Sequence, residues 1–183
     1  MSAWGLPTTV TINGEEFNIR SDYRAVLDAL AALNDQSLAP QERSAAFFAV
    51  LYPDWERLPD YDAAFSAAMT FVNLGKPVPE HQPPKPQLVD WDKDVEIIAP
   101  AVDQVLGYSC RRCDYLHWWE FVGAYSNIGR GLFSEVVNIR NKRAKHQKLD
   151  KAEREFANEN AELVNLEHPL TSDEEEFFKR LGV

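Results

Sequence analysis

The sequence predicts a mainly α protein, helical throughout except for one small N-terminal β-hairpin, and three observations carry that expectation. Apolar residues recur at helical spacing through most of the chain after Asp22, whereas alternation of apolar with polar residues is confined to residues 8–19. The run Leu116-His117-Trp118-Trp119-Glu120-Phe121 then sets two of the five tryptophans side by side within a helical pattern.

The hairpin comes first. Thr8, Val10 and Ile12, then Phe17 and Ile19, flank Asn13-Gly14, a pair suited to the positive φ of a tight primed turn. Ser21 or Asp22 next caps a helix whose Val26, Leu27, Leu30 and Leu33 follow the 3.6-residue period. A second helix starts at Pro40, which fits a first turn, and carries Phe47, Phe48, Val50 and Leu51 up to Tyr52-Pro53. A third spans residues 60–74, turns Phe65, Ala68, Met69 and Val72 inward, and ends at Gly75, where a left-handed cap residue fits.

Residues 76–86 hold five of the eleven prolines and favour a semi-rigid polyproline II spacer. That segment predicts a boundary: a hairpin-plus-helices module over 1–75, a linker over 76–86 and a helical module with a charged tail over 87–183. The second module opens at Asp90-Trp91-Asp92, whose carboxylates suit a helix N-terminus, and continues through Val95, Ile98, Val102, Val105 and Leu106 on one side. Pro100 interrupts or kinks it.

The next helix, residues 115–128, is the structural hub. Adjacent helical residues point about 100° apart, so paired tryptophans demand apolar partners over a wide arc. Phe121, Tyr125, Trp118, Val122 and Trp119 fill about half the wheel, Leu116 precedes them, and Glu120, Asn127 and His117 fall on the other side. Each buried indole removes about 150–250 Å² from water, a gross gain of about 4–6 kcal/mol at ~25 cal/mol per Å². Trp118, near the centre of the arc, reads as core; Trp119, at its edge, reads with His117 and Glu120 as a candidate interface. A helix over 133–142 follows with Val136, Val137 and Ile139 inward, then a highly charged helical stretch over 150–166. Ser172-Asp173-Glu174-Glu175 matches a capping box ahead of Phe177, Phe178 and Leu181, a short amphipathic end whose phenylalanines are further partner-binding candidates.

The chain has 183 residues, 45% hydrophobic and 26% charged, which is enough for a core without disulfides and too apolar for wholesale disorder. No apolar run reaches the ~20 residues needed to cross a bilayer, and Met1-Ser2-Ala3-Trp4-Gly5 lacks a signal-like pattern, so a cytoplasmic location is expected. A net charge of −10 repels phosphate backbones and argues against nucleic acid as a partner. The basic stretch from Arg130 to Arg154 reads as a solvated face or as partners for the chain's own carboxylates.

Cys110-Arg111-Arg112-Cys113 followed by His117 resembles a site, since two thiolates and an imidazole supply three zinc ligands. A fourth is missing nearby, the nearest later histidine being His146, so no metal and no cofactor is expected. The flanking arginines favour a thiolate, yet the βαβ pattern of redox CxxC proteins is absent. His117 with Glu120 one turn along forms a candidate acid–base pair, but no nucleophile elbow, phosphate loop or paired-carboxylate signature accompanies it. A protein that is not an enzyme is expected.

Several patches together resemble one phage family: residues 6–19, then Asp22-Tyr23-Arg24 with Leu27, then Asp90-Trp91-Asp92-Lys93-Asp94, then Leu116-His117-Trp118-Trp119-Glu120-Phe121, then Ile139-Arg140. The chain is similar over residues 6–143 to the bacteriophage "gene product fifteen" family of siphophages and prophages of Gram-positive bacteria. It departs from the family at Tyr108-Ser109-Cys110-Arg111-Arg112-Cys113, where a plain polar connection is more usual. Members are typically encoded between the major tail protein and the tape-measure protein. The resemblance therefore implies a tail-assembly chaperone of the host bacterial cytoplasm, with the tape-measure protein as partner and the tail-tube protein or a second copy as further ones. A structural minor component of the phage tail is the alternative. An acidic chain with an aromatic helix, a proline spacer and an amphipathic tail has the parts to cover apolar helical surface.

Overall fold

A computed structural model describes residues 4–77 and 86–166. Among them lie one two-stranded antiparallel hairpin and eight α-helices, so the fold class is the expected one. Phe177, Phe178 and the Ser172 capping box fall outside the described residues, as do residues 78–85 of the proline-rich segment. The chain forms two compact units, Met1–Pro83 with Ala99–Ile128 and Pro84–Ile98 with Gly129–Val183. This division differs from the boundary expected at residues 76–86. Residues 99–106, the larger part of one helix, and the whole hub group with the N-terminal residues, and residues 116–118 pair there with residues 21–23.

In the first unit, β1 (Thr9–Ile12) and β2 (Glu15–Asn18) pair with Val10 opposite Phe17, and both Asn13 and Gly14 take positive φ, as a primed turn requires. Asp22 is the N-cap of α1 (Tyr23–Asn34), its carboxylate accepting the Arg24 backbone N–H. Helix α2 (Pro40–Leu51) buries Phe47, Phe48 and Leu51 and packs on α1; a 3₁₀ turn (Trp55–Arg57) follows. Helix α3 (Tyr61–Val72), capped by Asp60, packs on β1. It buries Ala64, Ala68 and Phe71, whereas Phe65, expected inside, is 37% exposed. Small alanines let α3 approach the hairpin, and the buried face rotates away from the bulkier stripe. Gly75 is left-handed as expected, with φ 78°, and Leu74 before it is left-handed too, while the Gly75 N–H returns to the Thr70 carbonyl.

Helix α4 (Val95–Leu106) starts later than Asp90-Trp91-Asp92 predicts, because Asp90 accepts the Asp92 and Lys93 N–H groups and folds those residues into a turn. Pro100 sits inside the helix with its side exposed, and Val95 and Val105, expected inward, are 38% and 42% exposed. Helix α5 (Trp118–Ser126) also starts late, at the His117 N-cap; Tyr115 and Leu116 precede it in extended chain.

The second unit is built around α6 (Leu132–Ala144), which packs on α7 (Lys151–Glu159) and α8 (Ala161–Val164). Asp150 and Glu153 form a reciprocal capping box at the start of α7. The stretch expected to be one helix over 150–166 breaks at Asn160, whose φ of −119° is not helical. Among the described residues, no helix is long and apolar enough to cross a membrane.

Candidate functional site

Two clusters and one groove account for the chemistry-bearing residues. The first cluster forms where residues 21–23 meet residues 116–118 as an isolated antiparallel bridge between Asp22 and His117. Tyr23 N–H donates to the Leu116 carbonyl at 2.9 Å and Trp118 N–H to the Ser21 carbonyl at 2.7 Å, while the Asp22 carboxylate accepts the Leu116 N–H at 3.0 Å. Asp22 thus caps α1 and holds the approach to α5 at once.

His117 is fully buried. The Trp119 backbone N–H donates to its Nδ1 at 3.0 Å, which leaves the proton on Nε2 to be donated to the Pro7 carbonyl at 2.9 Å. The expectation that His117 lies on the polar side of the helix and contacts a partner is corrected by this burial: the residue is an N-cap, ahead of the helical wheel. It has no ring nitrogen left for Glu120, which is exposed, or for a metal.

Trp118 and Trp119 both aim their indole N–H groups at the end of α3. Trp118 donates to the Val72 carbonyl at 2.9 Å and Trp119 to the Phe71 carbonyl at 2.8 Å. The Val72 carbonyl is one that a helix end leaves short of partners, whereas the Phe71 carbonyl also accepts the Leu74 N–H at 3.1 Å. Trp118 is 4% exposed and stacks on Phe121, which stacks in turn on Tyr23 with ring centroids 4.3 Å apart. Leu116 and Phe121 are buried, Val122 and Tyr125 half-buried. Trp119, the expected interface ring, is half-buried and covers Gly75, where an added Cβ would come within 3.2 Å of the indole.

The thiols sit beside this cluster. Arg24 lies over the Tyr23 ring and donates to the carbonyls of Cys110 and Cys113 at 2.9 and 2.7 Å. Tyr23 donates its hydroxyl to the Cys110 carbonyl at 3.2 Å. Burial, reinforced by the Asp103 carboxylate, pushes the Cys110 thiol up to about 11, so it stays protonated at neutral pH. Burial opposes charge on Asp103 too, but hydrogen bonds from Cys110 outweigh it and hold that carboxyl below its usual range. Among the described residues, no three His, Cys, Asp or Glu side chains converge to hold a metal ion.

In the second unit Arg140 is 5% exposed with all five of its N–H donors engaged. Two go to the Asp94 carboxylate at 2.6 and 2.8 Å, and the others to the carbonyls of Leu88, Leu163 and Val164. Asp94, 1% exposed, also accepts the Asp90 N–H. Lys142 pairs with Glu153 and holds that carboxyl below the usual range. The basic stretch therefore does serve, at these two positions, as partner to the chain's own carboxylates.

An open groove of about 660 Å³ lies in the first unit. Its lining comes from the end of α1 (Leu33), from α2 (Ser44, Ala45 and Phe48 among others), from the 3₁₀ turn (Trp55) and from α3 (Tyr61 and Phe65). Tyr61 and Phe65 are 48% and 37% exposed, with Phe48 and Tyr61 ring centroids 5.1 Å apart and Phe47 and Phe65 5.5 Å apart. Asp62 is its charged lining residue.

A family model described as Bacteriophage Gp15 protein matches residues 5–166. The chain belongs to that family. No curated protein and no solved structure matches it. The match spans residues of both units, and the patches that suggested the family occupy the two clusters: Asp22-Tyr23-Arg24 bonds to Leu116-His117-Trp118, and Asp94 of the Asp90–Asp94 run bonds to Arg140. In this Gp15-family protein those patches are framework, bonded inward. The groove was missed because Phe65 reads as core from its spacing. A signal was present in α3, where Tyr61, Ala63, Ala64, Phe65, Ala67, Ala68, Met69, Phe71 and Val72 cover about two thirds of the circumference and leave Asp62, Ser66 and Thr70 as a narrow polar stripe. An apolar arc wider than the ~100° stripe that one core contact uses leaves a flank to cover.

Proposed function

We propose that this phage protein is a non-enzymatic tail-assembly chaperone that holds the tape-measure protein soluble in the host bacterial cytoplasm until tail-tube subunits assemble around it. The observation that carries the reading is the groove, an exposed aromatic surface on an acidic protein of a phage family. Such a surface is where apolar helical chain gains most from being covered. Its lining offers contact area without a reactive set: the Ser44 hydroxyl is donated to the Pro40 carbonyl, and the remaining lining is mostly apolar. The resemblance to a family typically encoded beside the tape-measure protein supports that protein as the partner, and a charge of −10 favours a protein partner over nucleic acid or an anionic membrane.

Co-expression with the tape-measure protein encoded by the same phage tests the proposal. The tape-measure chain is expected to be soluble and co-purified only when this protein is present, and mature virions are expected to lack it. Its stoichiometric recovery from washed virions favours the tail-component reading instead. Failure to keep the tape-measure chain soluble removes the chaperone role.

A further inference from the structure

The groove carries more information than its apolar lining, because the charges beside it are strongly one-sided. Asp62 lines it, and among the chain neighbours of its lining residues Asp35 lies two positions after Leu33, Glu42 follows Gln41, Asp54 and Glu56 bracket Trp55, and Asp60 precedes Tyr61. All are exposed. Against these six carboxylates stand Arg43 and Arg57, and Arg43 already interacts with Asp35. The lining is shaped as well as apolar. Ser44 and Ala45 are small, exposed side chains of α2 that line the groove together with the aromatic rings of Phe48, Tyr61 and Phe65. Small residues among aromatic rings make holes for the branched side chains of a docking helix, as ridges fit grooves in helix packing.

We propose that the groove recognises one amphipathic helical segment of a partner protein, with an apolar stripe of leucine-like side chains entering over Ser44 and Ala45 and flanking Lys or Arg residues facing the carboxylate rim. The inference rests on the reading of this protein as a binder of helical chain and adds where and by what chemistry it binds. The apolar stripe supplies affinity through Tyr61 and Phe65. The basic flanks supply orientation and speed of encounter, since complementary charge steers association more than it tightens it. A helix with acidic flanks meets repulsion at the same rim. A second copy of this chain is a poorer fit, because its surface is itself acidic overall.

Three fluorescein-labelled synthetic peptides of about 18 residues test this by anisotropy: a leucine stripe at helical spacing with lysine flanks, the same stripe with glutamate flanks, and the lysine peptide with its leucines scattered around the wheel. The full chain is expected to bind the first at least about tenfold tighter than either of the others, with the preference over glutamate flanks shrinking as salt rises. Ala45→Trp fills the groove from an exposed lining position and Asp62→Lys reverses the lining charge. Ala45→Trp is expected to weaken the first peptide about tenfold or more, and Asp62→Lys to narrow the gap between lysine and glutamate flanks, with both variants melting near wild type. Equal binding of all three peptides, or unaltered binding by Ala45→Trp, overturns the proposal. So does concentration-dependent dimerisation that Ala45→Trp abolishes, which assigns the groove to a second copy. Tape-measure capture is read separately. If Ala45→Trp loses the peptide but keeps the tape-measure protein, the groove is not the chaperone's contact and the chaperone reading stands. If wild type binds the peptide but never the tape-measure protein, the groove chemistry stands and the chaperone reading falls.

Discussion

An indole N–H placed at the end of a helix satisfies a carbonyl that the helix cannot, and it also fixes where the ring lies. Trp118 does this to the Val72 carbonyl, and Trp119 adds a second donor to the neighbouring Phe71 carbonyl, so the two rings tie α5 to the end of α3. Trp118→Ala removes a buried ring and leaves the Val72 carbonyl unpartnered, and a loss of about 3–5 kcal/mol is expected in urea unfolding. Trp118→Phe keeps most of the packing and loses the donor, for about 1–2 kcal/mol. Trp119 is half-buried, so Trp119→Ala is expected to be milder, about 2–3 kcal/mol, through lost area over Gly75 and the lost bond to Phe71. A Trp119→Ala variant that melts like wild type yet fails to capture the tape-measure protein would instead return this ring to the interface. The tryptophan pair was legible as a hub because no other residues offer so much area in so few positions. The role of His117 was not, since a residue one position ahead of a helix obeys cap chemistry rather than the wheel.

At the level of elements, short-range rules were readable and long-range ones were not. Asn13-Gly14 fixes a hairpin, and Asp22, Asp60 and Asp150 fix three helix starts, because each acts on atoms within three residues. The start of α5 depends on Leu116 pairing with Asp22, far away in sequence, so periodicity alone extended that helix backwards. The groove was illegible for a related reason: spacing shows that Phe65 belongs to an apolar stripe but not which neighbour covers it. Helix α6 ends with His146 at φ 54°, a left-handed residue whose Gln147 N–H returns to the Lys142 carbonyl. A side chain there costs about 1 kcal/mol relative to glycine, partly offset by the freedom glycine gains on unfolding. His146→Gly is therefore expected to raise stability by about 0.5–1 kcal/mol in chemical denaturation. In the same unit Asp94→Ala strands a buried guanidinium and is expected to cost about 3–5 kcal/mol, whereas Asp94→Leu combined with Arg140→Met removes both charges and recovers most of that loss.

For the molecule as a whole, the titrating groups set a window of pH in which the fold is firm. Hydrogen bonds hold Asp103 below the usual carboxylate range, and Lys142 does the same for Glu153, so their contribution is present at neutral pH and fades as acid protonates them in the folded state. The alkaline side runs in the opposite sense. Cys110 has an ordinary value of 9.0 and sits at about 11 when folded; Tyr23, its hydrogen-bonded neighbour, goes from 10.0 to about 12, and burial raises Tyr52 further. Above pH 9 the unfolded chain releases the thiol proton while the folded chain retains it. The unfolded state then binds fewer protons, and stability must fall as pH rises. The growing negative charge of an already acidic chain pushes in the same direction. Urea midpoints are expected to hold steady near pH 7–8, to drop from about pH 9, and to drop more steeply above about pH 10 as Tyr23 joins. Cys110→Ala is expected to delay the onset toward pH 10 while leaving the steeper part, since it removes the thiol and keeps Tyr23. An unchanged midpoint from pH 7 to 11 in wild type, or an onset that Cys110→Ala does not move, would show that the thiol is not held protonated by the fold.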